Sequence, residues 1–160
     1  MYGWDCSIKA VTGTRAGSFG KPQTVLAGAP TPKVRVTATL GDGAIAIERC
    51  VKQGPCTLSV STVNKHGRFT KPRAIATGVQ EQDFIGDDHG DLLLLYSRGN
   101  GLYATARNAG ASRFGPAIRL STAAETPDVI STLTAAYGPD DEAIVTWSDQ
   151  WNTSAAVYGG

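Results

Sequence analysis

Apolar and β-branched residues occur along the chain in short runs that are separated by clusters of Gly, Asp, Asn and Pro. In the best-covered stretch these runs are Val34 to Leu40, Ala44 to Arg49, Thr57 to Val63 and Arg73 to Thr77. Short runs of this kind between turn formers predict β-strands. No stretch carries apolar residues at helical spacing between a cap and a stop, so we expect an all-β chain.

Strand signals of the same kind lie on both sides of this stretch. The run that begins at Leu92 is almost entirely apolar, which is typical of a strand covered on both faces. The remaining predicted strands are Tyr2 to Val11, Gln23 to Leu26, Asp83 to Ile85, Leu92 to Ser97, Leu102 to Arg107, Ala117 to Leu120, Thr132 to Tyr137, Ala143 to Ser148 and Ser154 to Tyr158.

The strand signals recur with a long period. A turn followed by a phenylalanine and then a proline recurs at Phe19, Phe69 and Phe114, which are 50 and 45 residues apart. A second marker, an acidic residue that opens an apolar strand, recurs at intervals of 49 and 51 residues, at Asp42, Asp91 and Glu142. We therefore expect the three phenylalanines in equivalent, largely buried positions, in blade-like units at about 1–28, 33–78, 83–121 and 129–160.

Four antiparallel strands in each period of this length are typical of a β-propeller blade. A β-sandwich is the alternative, because regularly spaced strands alone also predict that fold. The repeat favours the propeller, since sandwich strands need no long-period self-similarity. Counting strands gives about three blade-equivalents. Three blade-equivalents are too few to close a ring. The sequence therefore predicts either that the chain is a piece of a longer propeller or that two copies form a homodimer that completes a six-bladed ring.

The turn between the third and fourth predicted strands carries a family resemblance. The segments Thr62 to Phe69 and Ala106 to Phe114 resemble the aspartate-box hairpin of sialidase-like propellers, in which Ser-x-Asp-x-Gly-x-Thr-Trp occupies this turn. Here Asn64 and Asn108 replace the aspartate, and phenylalanine replaces the tryptophan. The resemblance implies degenerate repeats of the type found in secreted bacterial proteins, with a turn-forming role for both asparagines and no catalytic role.

Composition and charge narrow the class of partner. The chain has 15 Lys and Arg against 14 Asp and Glu, a formal net charge of +1. This balance lacks the basic surface of a nucleic-acid binder and the polybasic anchor of a membrane-surface protein. The longest uninterrupted apolar run, Leu92 to Leu95, is too short to span a bilayer. The expected partners are therefore a glycan or a protein.

The three cysteines indicate the compartment. Cys50 and Cys56 flank the link between two predicted strands, where a hairpin brings them within bridging distance, so we expect a disulfide. Cys6 lies 50 residues before Cys56, and its repeat-equivalent partner would fall one place before Met1. Cys6 therefore pairs with an upstream strand or another chain if the protein is secreted. The alternative is three reduced cysteines in a cytosolic protein.

Propellers usually bind ligands at the loops that leave the second strand of each blade. Arg49 and Arg98 are repeat-equivalent there, and two arginines that converge on one point bind a carboxylate bidentately. The alternative is that the arginines cap surface hairpins and the aromatic residues pack in the core. The candidate ligand-binding residues are Arg49, Tyr96, Arg98, Trp147, Asp149 and Trp151.

One acidic cluster is a metal candidate. Asp87, Asp88 and Asp91 surround His89 and Gly90 in a predicted turn, and carboxylates in such a turn can bind Ca²⁺. The alternative is a polar turn that opens the following strand, since Asp is itself a turn former. No motif in the sequence predicts any other cofactor.

Two functions follow from these observations. The leading hypothesis is a non-catalytic binding or scaffolding module of an extracellular protein, with a carbohydrate ligand as one option. The rival is a fragment of a sialidase-like glycoside hydrolase, which requires a nucleophilic tyrosine, a glutamate beside it and a general-acid aspartate. Tyr96, Glu48 and Asp149 are of suitable type, but their positions along the chain do not predict that they meet.

Overall fold

A computed structural model describes residues 5–13, 17–30, 33–38, 43–50, 54–64, 66–121, 130–138, 142–148 and 153–159. Within these residues all regular secondary structure is β-strand, which confirms the all-β prediction. The strands are β1 (Asp5–Ala10), β2 (Gln23–Pro30), β3 (Lys33–Ala38), β4 (Gly43–Cys50), β5 (Cys56–Thr62), β6 (Arg73–Thr77), β7 (Val79–Gly86), β8 (Leu92–Arg98), β9 (Gly101–Arg107), β10 (Ile118–Arg119), β11 (Thr132–Tyr137), β12 (Ala143–Ser148) and β13 (Thr153–Tyr158).

The strands form four small antiparallel sheets. Their orders are β1-β2, β3-β4-β5-β6, β7-β8-β9-β10 and β11-β12-β13. Strands that are neighbours in the chain are also neighbours in each sheet, so no sheet contains a crossover. This up-and-down order is compatible with propeller blades and with a sandwich.

The chain divides into two compact units. The first contains β1 to β6, apart from the last two residues of β3, and the second contains β7 to β13. In the first unit a buried cluster of Val25, Ile45 and Ile47 lies between the two-stranded sheet and the β3–β6 sheet. Phe69, from the loop between β5 and β6, packs against this cluster.

The second unit has a larger core between the β7–β10 and β11–β13 sheets. Leu93 and Leu95 of β8 contribute to it from one side, and Val145 and Trp147 of β12 contribute from the other. A polar contact joins the same two sheets, because the Ala135 backbone N–H donates to Asp83 Oδ2 at 3.0 Å. All residues from Leu92 to Ser97 are buried, as their continuous apolar pattern predicts.

The repeat predicted from the phenylalanines is present in the hydrogen bonding. The residue after each phenylalanine donates its backbone N–H to the end of the third strand or its equivalent. The three bonds run from Gly20 to Thr12 (2.9 Å), from Thr70 to Thr62 (2.9 Å) and from Gly115 to Ala106 (2.8 Å). Each of the three turns also contains a glycine in the left-handed region: Gly17 at φ 84°, Gly67 at φ 69° and Gly110 at φ 72°.

Burial at these equivalent positions is not uniform. Phe69 is half-buried against the first core, and Phe114 is half-buried with its ring centroid 6.1 Å from that of Phe84. Phe19, by contrast, is 74% exposed and lies over Gly13. The prediction that it is largely buried is wrong, because equivalent backbone geometry does not supply an equivalent neighbouring sheet.

The predicted disulfide is also confirmed. Cys50 and Cys56 face each other in the β4–β5 register, and their sulfur atoms lie 1.96 Å apart. No helix long and apolar enough to cross a membrane occurs in the described residues.

Candidate ligand-binding site

A row of four side chains crosses the β7–β10 sheet near one end. Gln82 of β7 is the register partner of Tyr96 of β8, and Tyr96 is the partner of Tyr103 of β9. Tyr103 is in turn the partner of Arg119 of β10. Because directly opposed residues point to the same face of a sheet, all four side chains lie on one face. We call Gln82, Tyr96, Tyr103 and Arg119 the cross-strand row.

A β-bulge sets the position of Gln82. The β7–β8 register shifts between Val79 and Gln82, so β7 has one more residue there than the facing part of β8. The Glu81 N–H that the bulge displaces donates to the Ser97 hydroxyl at 3.0 Å. Bulges re-aim the side chains that follow them, and this one brings Gln82 opposite Tyr96.

Gln82 is an unusual buried polar residue. Its side chain is 3% exposed, and neither its Oε1 nor its Nε2 atom has a hydrogen-bond partner among the described residues. A buried amide without partners costs about 1–3 kcal/mol for each unsatisfied group. The Gln82 amide therefore offers one strong donor and one strong acceptor at the buried end of the cross-strand row.

The centre of the row is an aromatic stack with a cation on it. The Tyr96 and Tyr103 rings are stacked, with centroids 5.6 Å apart and planes inclined by 15°. Arg98 lies two residues after Tyr96 and therefore on the same face, and its Cζ lies 5.0 Å from the Tyr103 ring centroid. This is cation–π geometry, which orients the guanidinium while its hydrogen-bonding edge stays available.

The exposed end of the row is positively charged. Arg98 and Arg119 are both exposed, and Arg119 Nη2 donates to the Asn100 backbone carbonyl at 2.9 Å. In the described part of the chain neither arginine forms an ion pair. Burial is the main cause that raises the pKa of Tyr96; nearby Arg98 opposes the rise and Tyr103 adds to it. The site thus combines an aromatic surface, a neutral phenol and two cations, which suits an anionic ligand.

The other predicted ligand-binding residues have different outcomes. Trp147 is 4% exposed and packs in the core of the second unit. For this residue the alternative interpretation, that the aromatic residues pack in the core, is correct. Arg49 is exposed and belongs to the first unit. Asp149 and Trp151 lie outside the described residues.

The acidic cluster forms a polar turn. Asp87 Oδ1 accepts the backbone N–H groups of His89, Gly90 and Asp91 at 2.9, 2.8 and 2.8 Å. Asp91 accepts the Ala109 N–H, and exposed Asp88 lies 3.2 Å from the His89 ring nitrogen. The three carboxylates do not gather into a group with ligand atoms within 4.8 Å of one another. Calcium binding here stays a prediction, without a preformed cluster to support it.

Three members of the row, Gln82, Tyr103 and Arg119, were not among the residues predicted from the sequence. Gln82 precedes the predicted strand Asp83 to Ile85, whereas β7 begins at Val79. A usable signal existed for Tyr103, because the two-residue Gly99-Asn100 turn fixes the register that pairs it with Tyr96. The pairing of Arg119 with Tyr103 could not be predicted in this way, because it also depends on the length of the β9–β10 loop.

No protein-family model, curated protein or solved structure matches this chain. The resemblance to sialidase-like repeats therefore stays a prediction.

Proposed function

We propose that this chain is a non-catalytic binding module of an extracellular protein and that it binds a carboxylate-bearing glycan. The observation that carries the proposal is the cross-strand row together with exposed Arg98, which lies on the Tyr103 ring. A sugar ring presents an apolar face that packs on an aromatic side chain, here the exposed part of Tyr103. A carboxylate on that sugar accepts two parallel hydrogen bonds from Arg98, whose guanidinium Tyr103 already orients.

The chemistry of Tyr96 favours binding over hydrolysis. A nucleophilic tyrosine must give up its proton easily, but Tyr96 is 2% exposed and its pKa is raised by that burial. The glutamate that the hydrolase hypothesis requires, Glu48, belongs to the first unit, and its aspartate, Asp149, lies outside the described residues. Turnover of a fluorogenic sialoside that is lost in Tyr96→Phe would support the hydrolase instead.

The Cys50–Cys56 disulfide supports the extracellular part of the proposal, because disulfides persist in oxidising compartments and are rare in the cytosol. The near-zero net charge is consistent with a glycan or protein ligand rather than a nucleic acid.

The test is calorimetric titration of the folded chain with sialyllactose and, as the neutral comparison, lactose. We expect sialyllactose to bind and Arg98→Ala to weaken it about tenfold or more, the loss of one or two charge-assisted hydrogen bonds. The control is Arg113→Ala, which removes an exposed arginine of the β9–β10 loop and leaves the row intact. Equal affinity for lactose and sialyllactose, or no binding to either, contradicts the proposal.

A further inference from the structure

A second group of reactive side chains lies in the β4–β5 hairpin. The ligand atoms of Glu48, Cys50 and Cys56 all lie within 4.8 Å of one another. The backbone explains the grouping: Glu48 and Cys50 are two apart on β4 and share a face, and Cys56 is the register partner of Cys50. Rigid neighbouring strands, not a loop, therefore hold the three groups.

The carboxylate of this group is buried among apolar neighbours. Glu48 is 2% exposed, its register partner Leu58 is 0% exposed, and Ala46 on the same face is also 0% exposed. Glu48 Oε1 lies 3.4 Å from the Cys50 sulfur. A buried carboxylate needs interactions that stabilise its charge, and a bound cation is one of them.

We propose that the reduced hairpin binds Zn²⁺ through the Cys50 and Cys56 thiolates and the Glu48 carboxylate. Two equivalents of a low-molecular-weight thiol reduce the disulfide by two electrons to two cysteine thiols and are themselves oxidised to one disulfide. The two cysteine thiols then bind Zn²⁺ and release two protons, and water takes the fourth position. Each sulfur is used either by the disulfide or by the metal, so the two forms exclude each other.

The dimensions and chemistry fit zinc. Zn–S bonds of about 2.3 Å and Zn–O bonds of about 2.0–2.2 Å in a tetrahedron separate the ligand atoms by about 3.3–3.8 Å. In the disulfide the two sulfur atoms are 1.96 Å apart, so after reduction they must move apart to this separation, whereas Glu48 Oε1 already lies 3.4 Å from the Cys50 sulfur. Thiolates select zinc over calcium or magnesium, which prefer sites made of oxygen atoms.

The experiment uses the full chain in a Cys6→Ser background, which removes the third thiol. The protein is reduced, freed of reductant without oxygen and titrated with Co²⁺, whose charge-transfer absorption reports thiolate ligation. We expect saturation at one equivalent, displacement of Co²⁺ by Zn²⁺, and no such absorption in the oxidised chain. Glu48→Gln should weaken Co²⁺ binding by about 10- to 100-fold, at least as much as losing an outer-shell partner.

The matched control is Glu142→Gln, which neutralises an exposed carboxylate outside the group and should leave Co²⁺ affinity unchanged. If Glu48→Gln does not fold, X-ray absorption of the unsubstituted, zinc-loaded chain replaces it. Two sulfur ligands with oxygen in the first shell support the site. Four sulfurs, no thiolate absorption in the reduced chain, or full affinity in folded Glu48→Gln overturn it.

Discussion

Asparagine replaces aspartate in the turn that resembles an aspartate box, and the Asn64 side chain shows why the turn still forms. Its Oδ1 accepts the His66 N–H at 2.9 Å and the Arg68 N–H at 3.1 Å. An amide oxygen accepts these bonds as a carboxylate oxygen does. The Asn64 backbone carbonyl also accepts the Gly67 N–H at 2.9 Å, and the Asn108 backbone carbonyl likewise accepts the Ala111 N–H at 3.0 Å. The hydrogen bonds that one asparagine accepts therefore stabilise the turn, which is a structural role.

Tyr96 provides a prediction at the same scale. Its pKa is raised above the ordinary value of 10.0, so above pH 10 the unfolded chain loses this proton while the folded chain keeps it. The stabilising effect is fully present below pH 10 and is lost as the pH rises through the folded-state pKa. We expect urea denaturation to show stability falling above pH 10, and Tyr96→Phe to reduce that fall. An identical pH dependence in Tyr96→Phe contradicts the assignment, and the exposed-loop variant His66→Ala is the control.

Strands and turns recur as elements, but their environments differ. Strand β8 is buried on both faces, whereas β12 alternates between buried and exposed positions. Both strands read as largely apolar runs, so periodicity alone does not separate them. The phenylalanine turns likewise have the same backbone hydrogen bonds but differ in the residues that cover the phenylalanine ring.

This difference predicts unequal stability effects at Phe69 and Phe19. Phe69→Ala removes a half-buried ring from the first core and should lower the free energy of unfolding by about 2–3 kcal/mol. Phe19→Ala is the matched control at the equivalent turn and should cost less than about 0.5 kcal/mol, because the ring is exposed. Urea denaturation of both variants is the measurement. Equal losses would show that the two rings are covered alike.

For the whole molecule, the outer face of the β11–β13 sheet is the informative surface. Ile144 and Val157 are register partners on this face and are 55% and 63% exposed. The other residues of the face are also uncharged: Thr132, Thr134, Ala136, Thr146, Ser148, Thr153 and Ala155. A sheet face with exposed apolar residues and no charge is typical of one that associates with another surface.

The predicted homodimer can be tested on this face. We expect light scattering to give twice the mass of the chain at micromolar concentrations, because association covers the Ile144–Val157 pair. Ile144→Ser with Val157→Ser should shift the chain to monomer, while Thr132→Ser and Thr134→Ser, which keep the face polar and small, should not. A stable, folded monomer of the unsubstituted chain rules the dimer out.

Most of the strands, the Cys50–Cys56 pairing and the repeating turns could be predicted from the sequence. Strand propensity, turn chemistry and hairpin geometry act between residues that are close along the chain, so they can be read locally. Which side of each strand is covered depends on contacts between sheets, which bury Trp147 in the core and leave Phe19 exposed. The cross-strand row also depends on tertiary structure, because the bulge that brings Gln82 opposite Tyr96 depends on the register between β7 and β8.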